Sequence, residues 1–143
     1  MFEVDPAFAA GSRPVASLEL CEARLQLDAR YPWLILIPRV ESARELEDLP
    51  AETRSRLLDE LVLAGSAVRA IGDALGRPVA KLNIGMLGNV TPQLHAHVVG
   101  RRADDAAWPG PVWGQGEATA YGPQDLERAA AAALGVLVSA ARG

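Results

Sequence analysis

The sequence predicts one α+β domain over residues 1–143, with a mostly antiparallel sheet and helices packed on it. The main support is the order of segments, β-β-α-β-β-α, because one helix between two hairpins argues against a doubly wound parallel fold. The length and the 50% hydrophobic content suit a single core. A lone cysteine excludes a disulfide scaffold.

The first hairpin is predicted between residues 20 and 37. Residues 20–28 end in alternating polar and apolar side chains, which is the period of a strand with one buried face. Residues 29–32 end in proline and indicate a turn. Residues 33–37 form an apolar run that stops at Pro38, typical of a strand covered on both faces. Strands this close in sequence pair most simply as an antiparallel hairpin.

Two helices are predicted, over residues 51–75 and residues 124–142. In the first, apolar side chains recur at spacings of three and four, and Gly76 and Pro78 supply a stop. The recurring positions are Leu57, Leu61, Ala64, Val68, Ile71 and Leu75. The second helix follows Gly122-Pro123, because proline is favoured at a helix entry.

The second hairpin is predicted from residues 79–86 and 93–99, which alternate as strands, with residues 87–92 as their turn. The alternation places four residues of the second strand on one face. These are Gln93, His95, His97 and Val99. We expect Lys81 or Asn83 of the paired strand to lie across from the histidines.

Charge and hydropathy narrow the function classes. The net charge is −4 and the sequence pI is near 5.2, so binding of nucleic acid through a basic face is not expected. Local donors can still hold a small anion. No apolar run approaches the roughly 20 residues that cross a bilayer, and residues 1–5 lack the basic start of a secretory signal. We therefore expect a cytoplasmic protein without a membrane partner.

His95 and His97 are the only histidines of the chain, and on a strand their imidazoles would lie side by side. Such a pair is compatible with a solvated strand face, a metal site or phosphate chemistry. The metal site is the weakest hypothesis, because zinc takes three or four ligands and residues 92–101 contain no carboxylate. Phosphate chemistry fits better, since neutral imidazole is a competent nucleophile towards phosphorus.

The sequence neighbours of the two histidines also favour phosphate. Gly88-Asn89 offers backbone N–H groups in a tight turn, which can cradle phosphate oxygens. Neutral side-chain donors and positive charges lie close in sequence as well. They are Asn83, Asn89, Thr91 and Gln93, with Lys81, Arg101 and Arg102.

Residues 93–99, Gln-Leu-His-Ala-His-Val-Val, resemble the H-φ-H-φ-H-φ-φ signature of the histidine-triad (HIT) family, where φ is apolar. Residues 27–38 are similar to the strand-turn-strand of that family ending in Ile-Pro. Residues 82–92, with Asn-x-Gly and then Gly-Asn-Val-Thr, are similar to its approach to the triad. Residues 104–109, Asp-Asp-Ala-Ala-Trp-Pro, look like a bacterial branch of the family. The resemblance spans residues 18–114.

This resemblance implies a five-stranded antiparallel sheet with a long central helix and a C-terminal helix, in a homodimer that binds a nucleotide over the sheet. It implies hydrolysis or nucleotidyl transfer on a nucleoside polyphosphate, dinucleoside polyphosphate or phosphoramidate. His95 would attack the α-phosphorus to give a nucleotidyl-histidine that water cleaves, and His97 would lie near the bridging oxygen. No cofactor is implied beyond a divalent cation carried on the nucleotide.

The resemblance also implies substrate-binding positions. Asp28 would contact the ribose, and the phosphates would contact Asn83, Gly88, Asn89 and Thr91. Further candidates are Arg101, as a phosphate contact or a solvated strand end, and two tryptophans of the irregular segment 103–121, which could stack on a base or pack on the sheet. These are Trp108 and Trp113. Residues 2–10 lie outside the resemblance and are expected only to pack.

Gln93 stands where the signature has its first histidine. Its backbone carbonyl can still orient the Nδ1–H of the nucleophile, and its amide keeps a donor and an acceptor. Two functions therefore stay open: an active HIT-type enzyme, or a dimeric nucleotide-binding module whose catalysis is weak or lost.

Overall fold

A computed structural model describes residues 1–142 and shows a five-stranded sheet with two long helices against one of its faces. A short 3₁₀ turn precedes the first strand and another precedes the first helix. The strands are β1 (Ser12–Ser17), β2 (Cys21–Gln26), β3 (Trp33–Pro38), β4 (Lys81–Gly85) and β5 (Ala96–Arg101). The helices are α1 (Ala51–Ala74) and α2 (Pro123–Arg142), and the 3₁₀ turns are Pro6–Ala10 and Leu46–Asp48.

The strands lie in the order β1-β2-β3-β5-β4, and every neighbouring pair is antiparallel. This confirms the predicted α+β class, the five-stranded sheet and both hairpins, β2–β3 and β4–β5. None of the helices in the described part of the chain is long and apolar enough to span a membrane.

Two features of the sheet differ from the sequence-based expectation. The residue pattern gave no indication of β1, because Pro14 and a register shift between Pro14 and Ala16 interrupt its alternation. The fifth strand was also predicted too early. β5 begins at Ala96 and not at residue 93, since the N–H of Leu94 bonds to the carbonyl of Ala43, outside the sheet.

The prediction that Lys81 or Asn83 lies across from the histidines was wrong. In the observed register His97 pairs with Gly85 on β4 and with Ile35 on β3. Lys81 and Asn83 share the His97 face of the sheet but pair with residues further along β5, at positions 101 and 99. A two-residue offset of the hairpin register therefore separates them from the imidazoles.

The larger apolar cluster lies between the sheet and the helices. The predicted apolar face of α1 is confirmed, and its most buried positions pack on alternate residues of β2, β3 and β5. The fully buried small residues Ala129 and Ala133 let α2 pack closely beside α1. The sheet residues of this cluster include Leu25, Leu34, Leu36, Ala96 and Val98.

A second apolar cluster covers the opposite face of the sheet, and here it is called the site-side cluster. It consists of Phe8, Tyr31, Trp33, Ile35, Ile37, Val99 and Val112. Phe2, Val4 and Trp113 pack against it. Because side chains alternate along β5, His97 points to this face together with Val99.

Candidate functional site

The two imidazoles lie side by side on the site-side face of the sheet. Their ring centroids are 5.0 Å apart, in an edge-to-face arrangement with an interplanar angle of 74°. His97 is the second residue of β5, and His95 immediately precedes the strand. Both residues are buried, with 5% and 8% of their surface exposed. The solvated strand face, one of the three hypotheses for the pair, is therefore wrong.

The tautomer of His95 follows from its hydrogen bond. Its Nδ1 lies 2.7 Å from the backbone carbonyl oxygen of Gln93. A carbonyl oxygen only accepts, so Nδ1 donates and the neutral ring keeps its lone pair on Nε2. The Phe8 ring packs edge-to-face with the same imidazole, with centroids 4.8 Å apart. The ring is thus held from two sides, and Nε2 lies at the end of the ring away from the Gln93 carbonyl.

The tautomer of His97 follows from a contact that the sequence did not predict. The indole Nε1–H of Trp33 donates to Nδ1 of His97 at 3.0 Å, so the proton of the neutral ring lies on Nε2. Burial and then the neighbouring charge of His95 lower the pKa of His97, a hydrogen bond with the Leu87 backbone acts in the opposite direction, and the net pKa is about 4. His97 is therefore uncharged at neutral pH.

Two cavities open beside His95. The larger, of about 530 Å³, lies between the turn at residues 44–47 and the turn at Gly88-Asn89. The smaller, of about 320 Å³, is lined by Trp33, His97 and Trp113 among others. Asn89 and His95 line both cavities. A ligand that bridges them would therefore contact His95.

Three of the predicted phosphate-binding residues come together beside the histidines. Gly88 and Asn89 line the larger cavity, and Asn89 and Thr91 line the smaller one. A Cβ atom on Gly88 would lie 3.0 Å from the Thr91 carbonyl oxygen and 3.3 Å from Cε1 of His95. Glycine is therefore what allows this turn to approach the imidazole so closely.

Arg101 and Asn83 do not face the cavities beside the histidines. Arg101 is 1% exposed, and its guanidinium pairs with both carboxylate oxygens of Asp105 at 2.8 and 3.0 Å and donates to Oδ1 of Asn83 at 2.7 Å. It also lies 5.6 Å from the centre of the Trp108 ring. Both expectations for Arg101, a phosphate contact or a solvated strand end, were wrong, because its partners enclose it. Trp108 packs on this ion pair.

Asp28 is buried in the turn between β2 and β3, and its carboxylate already has partners. It accepts hydrogen bonds from the backbone and side chain of Arg30 and from the N–H of Thr119. Burial alone would raise the pKa of Asp28, but these hydrogen bonds hold it below its usual value. The structure gives Asp28 a role in holding the turn, and its contact with a ribose stays a prediction.

The Gln93 side chain points to the N-terminal segment, defined here as residues 2–10. Its Oε1 accepts the N–H of Asp5 and its Nε2 donates to the carbonyl of Glu3, both at 2.8 Å. Through these bonds and through Phe8, the segment reaches the site. The expectation that residues 2–10 only pack was thus incomplete.

Trp113 is the tryptophan of the loop that does lie at the site. Its ring centroid is 5.5 Å from that of His97 and 6.2 Å from that of Trp33, both edge-to-face. Its indole nitrogen is buried and has no hydrogen-bond partner among the described residues.

The role of Trp33 as a partner of the site had one signal in the sequence, because a tryptophan in a buried strand needs an acceptor for its N–H.

Within residues 1–142, no group of three or more His, Cys, Asp or Glu side chains is placed to hold a metal ion. Cys21 is fully buried in the cluster under the helices. Burial and the neighbouring carboxylate of Glu60 raise the pKa of its thiol well above the usual range. Cys21 is a core residue and not a nucleophile.

Comparison with known proteins agrees with this geometry. A family model described as HIT domain matches residues 9–104. The fold superposes on the crystal structure of a histidine triad protein from Bradyrhizobium japonicum with a TM-score of 0.86, 32% identity, and coverage of 95% of this chain and 98% of that one. No curated protein sequence matches significantly.

Two further crystal structures are similar to the same extent. A histidine triad protein from Sinorhizobium meliloti gives a TM-score of 0.85 at 36% identity, covering 96% of this chain and 98% of that chain. One from Marinobacter aquaeolei gives 0.85 at 35% identity, covering 97% and 98%. All three relatives have essentially the same extent as this chain.

Proposed function

Because the chain belongs to the HIT domain family, we propose that it is a nucleotide hydrolase or nucleotidyl transferase. Membership of this family supports nucleotide binding in general. Our proposal adds the reaction, at the α-phosphate of a nucleoside polyphosphate, dinucleoside polyphosphate or phosphoramidate. We further propose that the protein works as a homodimer, which light scattering coupled to size-exclusion chromatography tests directly.

The observation that carries the proposal is the hydrogen bond from His95 Nδ1 to the Gln93 carbonyl. It leaves the Nε2 lone pair free to form a bond to the α-phosphorus. As that bond forms, the bond from phosphorus to the bridging oxygen or nitrogen breaks and its electron pair leaves with the leaving group; an amine leaving group takes a proton from solvent water, whereas a phosphate leaves as the anion. Water then attacks the phosphorus of the nucleotidyl-histidine, the bond from phosphorus to Nε2 breaks with its electron pair returning to His95, and the attacking water gives up a proton to solvent.

His97 suits the position beside the leaving group. With Trp33 holding Nδ1, the N–H of neutral His97 is Nε2–H, which bonds to the Leu87 backbone. The bridging atom of the substrate would take the place of this backbone acceptor and receive the hydrogen bond. Because His97 is already neutral, its imidazole does not need to lose a proton before the substrate binds. The turn at Gly88-Asn89 and Thr91 supply neutral donors for the non-bridging oxygens.

The test is turnover of a fluorogenic adenosine phosphoramidate and of a diadenosine polyphosphate by the wild type and by His95→Ala. We expect the variant to lose at least about a thousandfold in kcat/KM. Mixtures with labelled substrate that are quenched in alkaline denaturant, where the P–N bond is stable, should carry one nucleotidyl group on the peptide that contains His95. Equal turnover by the two proteins would refute the nucleophile assignment.

The second candidate is a nucleotide-binding module with weak or no catalysis. One observation favours it: the Gln93 side chain is committed to Glu3 and Asp5 and offers no imidazole to the site. In that case AMP should raise the Tm by mass action while neither substrate turns over. Turnover by the wild type that depends on His95 would exclude this candidate.

A further inference from the structure

We propose that Gln93 is a positioning residue that fastens the N-terminal segment onto the histidine site and thereby makes Phe8 part of the support of His95. The inference rests on the proposed function. It concerns a stretch of chain that precedes the family match, which begins at residue 9.

The first step is the pair of hydrogen bonds made by the Gln93 amide. Oε1 accepts the N–H of Asp5 and Nε2 donates to the carbonyl of Glu3, both at 2.8 Å. The oxygen and nitrogen of a primary amide point in the same direction. They can therefore pair with the carbonyl of one residue and the N–H of the residue two positions later, as a neighbouring strand would.

The second step explains why glutamine stands at this position. A neutral imidazole also has one donor and one acceptor, but they lie on different sides of the ring and point apart. One ring cannot serve both backbone groups of Glu3 and Asp5 at once. The replacement of the first histidine of the signature by Gln93 thus exchanges a ring for a two-point attachment of the N-terminus.

The third step connects this attachment to His95. The segment continues into the turn at Pro6–Ala10, where Phe8 is buried and packs edge-to-face with the imidazole. Ser12 Oγ donates to the Phe8 carbonyl at 2.6 Å and fixes the far end of the turn. Phe8 lines neither cavity beside His95. The segment therefore acts on the orientation of the imidazole and not on substrate contacts, so we expect it to change kcat and not KM.

The test compares two substitutions of Asp5 in the full-length protein. The φ angle of Asp5 is −57°, which proline adopts without strain. Asp5→Pro removes the N–H that bonds to Gln93 together with the side-chain cap on Ala7, whereas Asp5→Ala removes the cap alone. Asp5→Ala is thus the matched reference, and the difference between the two reports the bond to Gln93.

We expect Asp5→Pro to have a kcat about tenfold below that of Asp5→Ala, with KM values within about twofold. Amide hydrogen exchange of residues 2–8 should also be faster in Asp5→Pro. Phe8→Leu, which keeps the apolar volume, should lower kcat similarly, and adding it to Asp5→Pro should lower kcat little further. Gln93→His should behave like Asp5→Pro and should not gain activity.

Equal kcat in the two Asp5 variants, or equal exchange of residues 2–8, would overturn the inference even if the wild type is active. If the wild type has no turnover, the proposed function fails, and the inference about Gln93 is tested by two structural measurements instead. The inference is then supported if Asp5→Pro, relative to Asp5→Ala, has faster amide exchange in residues 2–8 and shifted NMR resonances of the His95 ring. It fails if either readout is unchanged.

Discussion

The buried, neutral state of His97 predicts an acid-dependent loss of stability. Burial and the charge of His95 lower its pKa from the ordinary 6.5 to about 4. Between these pH values the unfolded chain binds a proton that the native imidazole does not bind, so acid favours the unfolded state. The contribution of His97 to stability is fully present above pH 6.5 and is lost as the pH falls to about 4. The corresponding change in the free energy of unfolding is about 3 kcal/mol.

The measurement is urea unfolding of the wild type and of His97→Asn from pH 7.5 to pH 4. Asparagine keeps an oxygen near the position of Nδ1 that can accept from Trp33, but it does not titrate. Carboxylates titrate in both proteins, so their effect cancels in the difference. We expect the wild type to lose about 3 kcal/mol relative to the variant across this range. A difference that stays constant within about 0.5 kcal/mol would refute the assignment of a low pKa to His97.

Three substitutions test other parts of the structure. Trp33→Phe leaves Nδ1 of His97 without its donor. It should lower the free energy of unfolding by about 1–3 kcal/mol and raise the pKa of His97. An unchanged NMR titration of His97 would contradict this. Arg101→Met leaves the buried carboxylate of Asp105 without its cation and should lower the free energy of unfolding, measured in urea, by about 3–5 kcal/mol. Turnover at low temperature should be preserved. A large loss of turnover in the folded variant would place Arg101 in the site. Gly88→Ala should lower kcat/KM at least about tenfold by crowding His95, while the Tm stays near that of the wild type. Full activity would show that the turn can move away from His95 to accommodate the methyl group.

Much of the fold was predictable from local patterns. Alternation in residues 20–28 and the helical spacing from Leu57 to Ile71 reflect direct burial. The alternation in residues 79–86 predicted β4 correctly although this edge strand is only partly buried. β1 was not predictable from its own residues, because Pro14 and the register shift remove the alternation that identifies a strand. Its presence was expected only through the resemblance to a family.

The site was predictable where it depends on neighbours in sequence. His95 and His97 are two residues apart, and the Gln93 carbonyl lies within reach of the His95 imidazole, so their proximity follows from the chain itself. The partners Trp33 and Phe8 are distant in sequence. Which of them contacts which imidazole depends on strand register and on the path of the N-terminal segment, and neither is visible in a one-dimensional pattern.

The environment of Arg101 shows the same limit. Its neighbours in sequence suggested a charge at a strand end. The carboxylate of Asp105 returns through a turn and Asn83 lies across the hairpin, so the guanidinium is paired and enclosed. The environment of a charged residue whose partners come from two other segments cannot be predicted from its own position in the sequence.

The sheet divides the interior into two compartments, one on each of its faces. Ala96 and Val98 belong to the compartment beneath the helices, whereas His97 and Val99 belong to the other. Substitutions in the two compartments should therefore be nearly additive. In laboratory evolution, residues between the sheet and the helices can be varied to raise the Tm, while residues on the site-side face are varied independently to alter substrate preference.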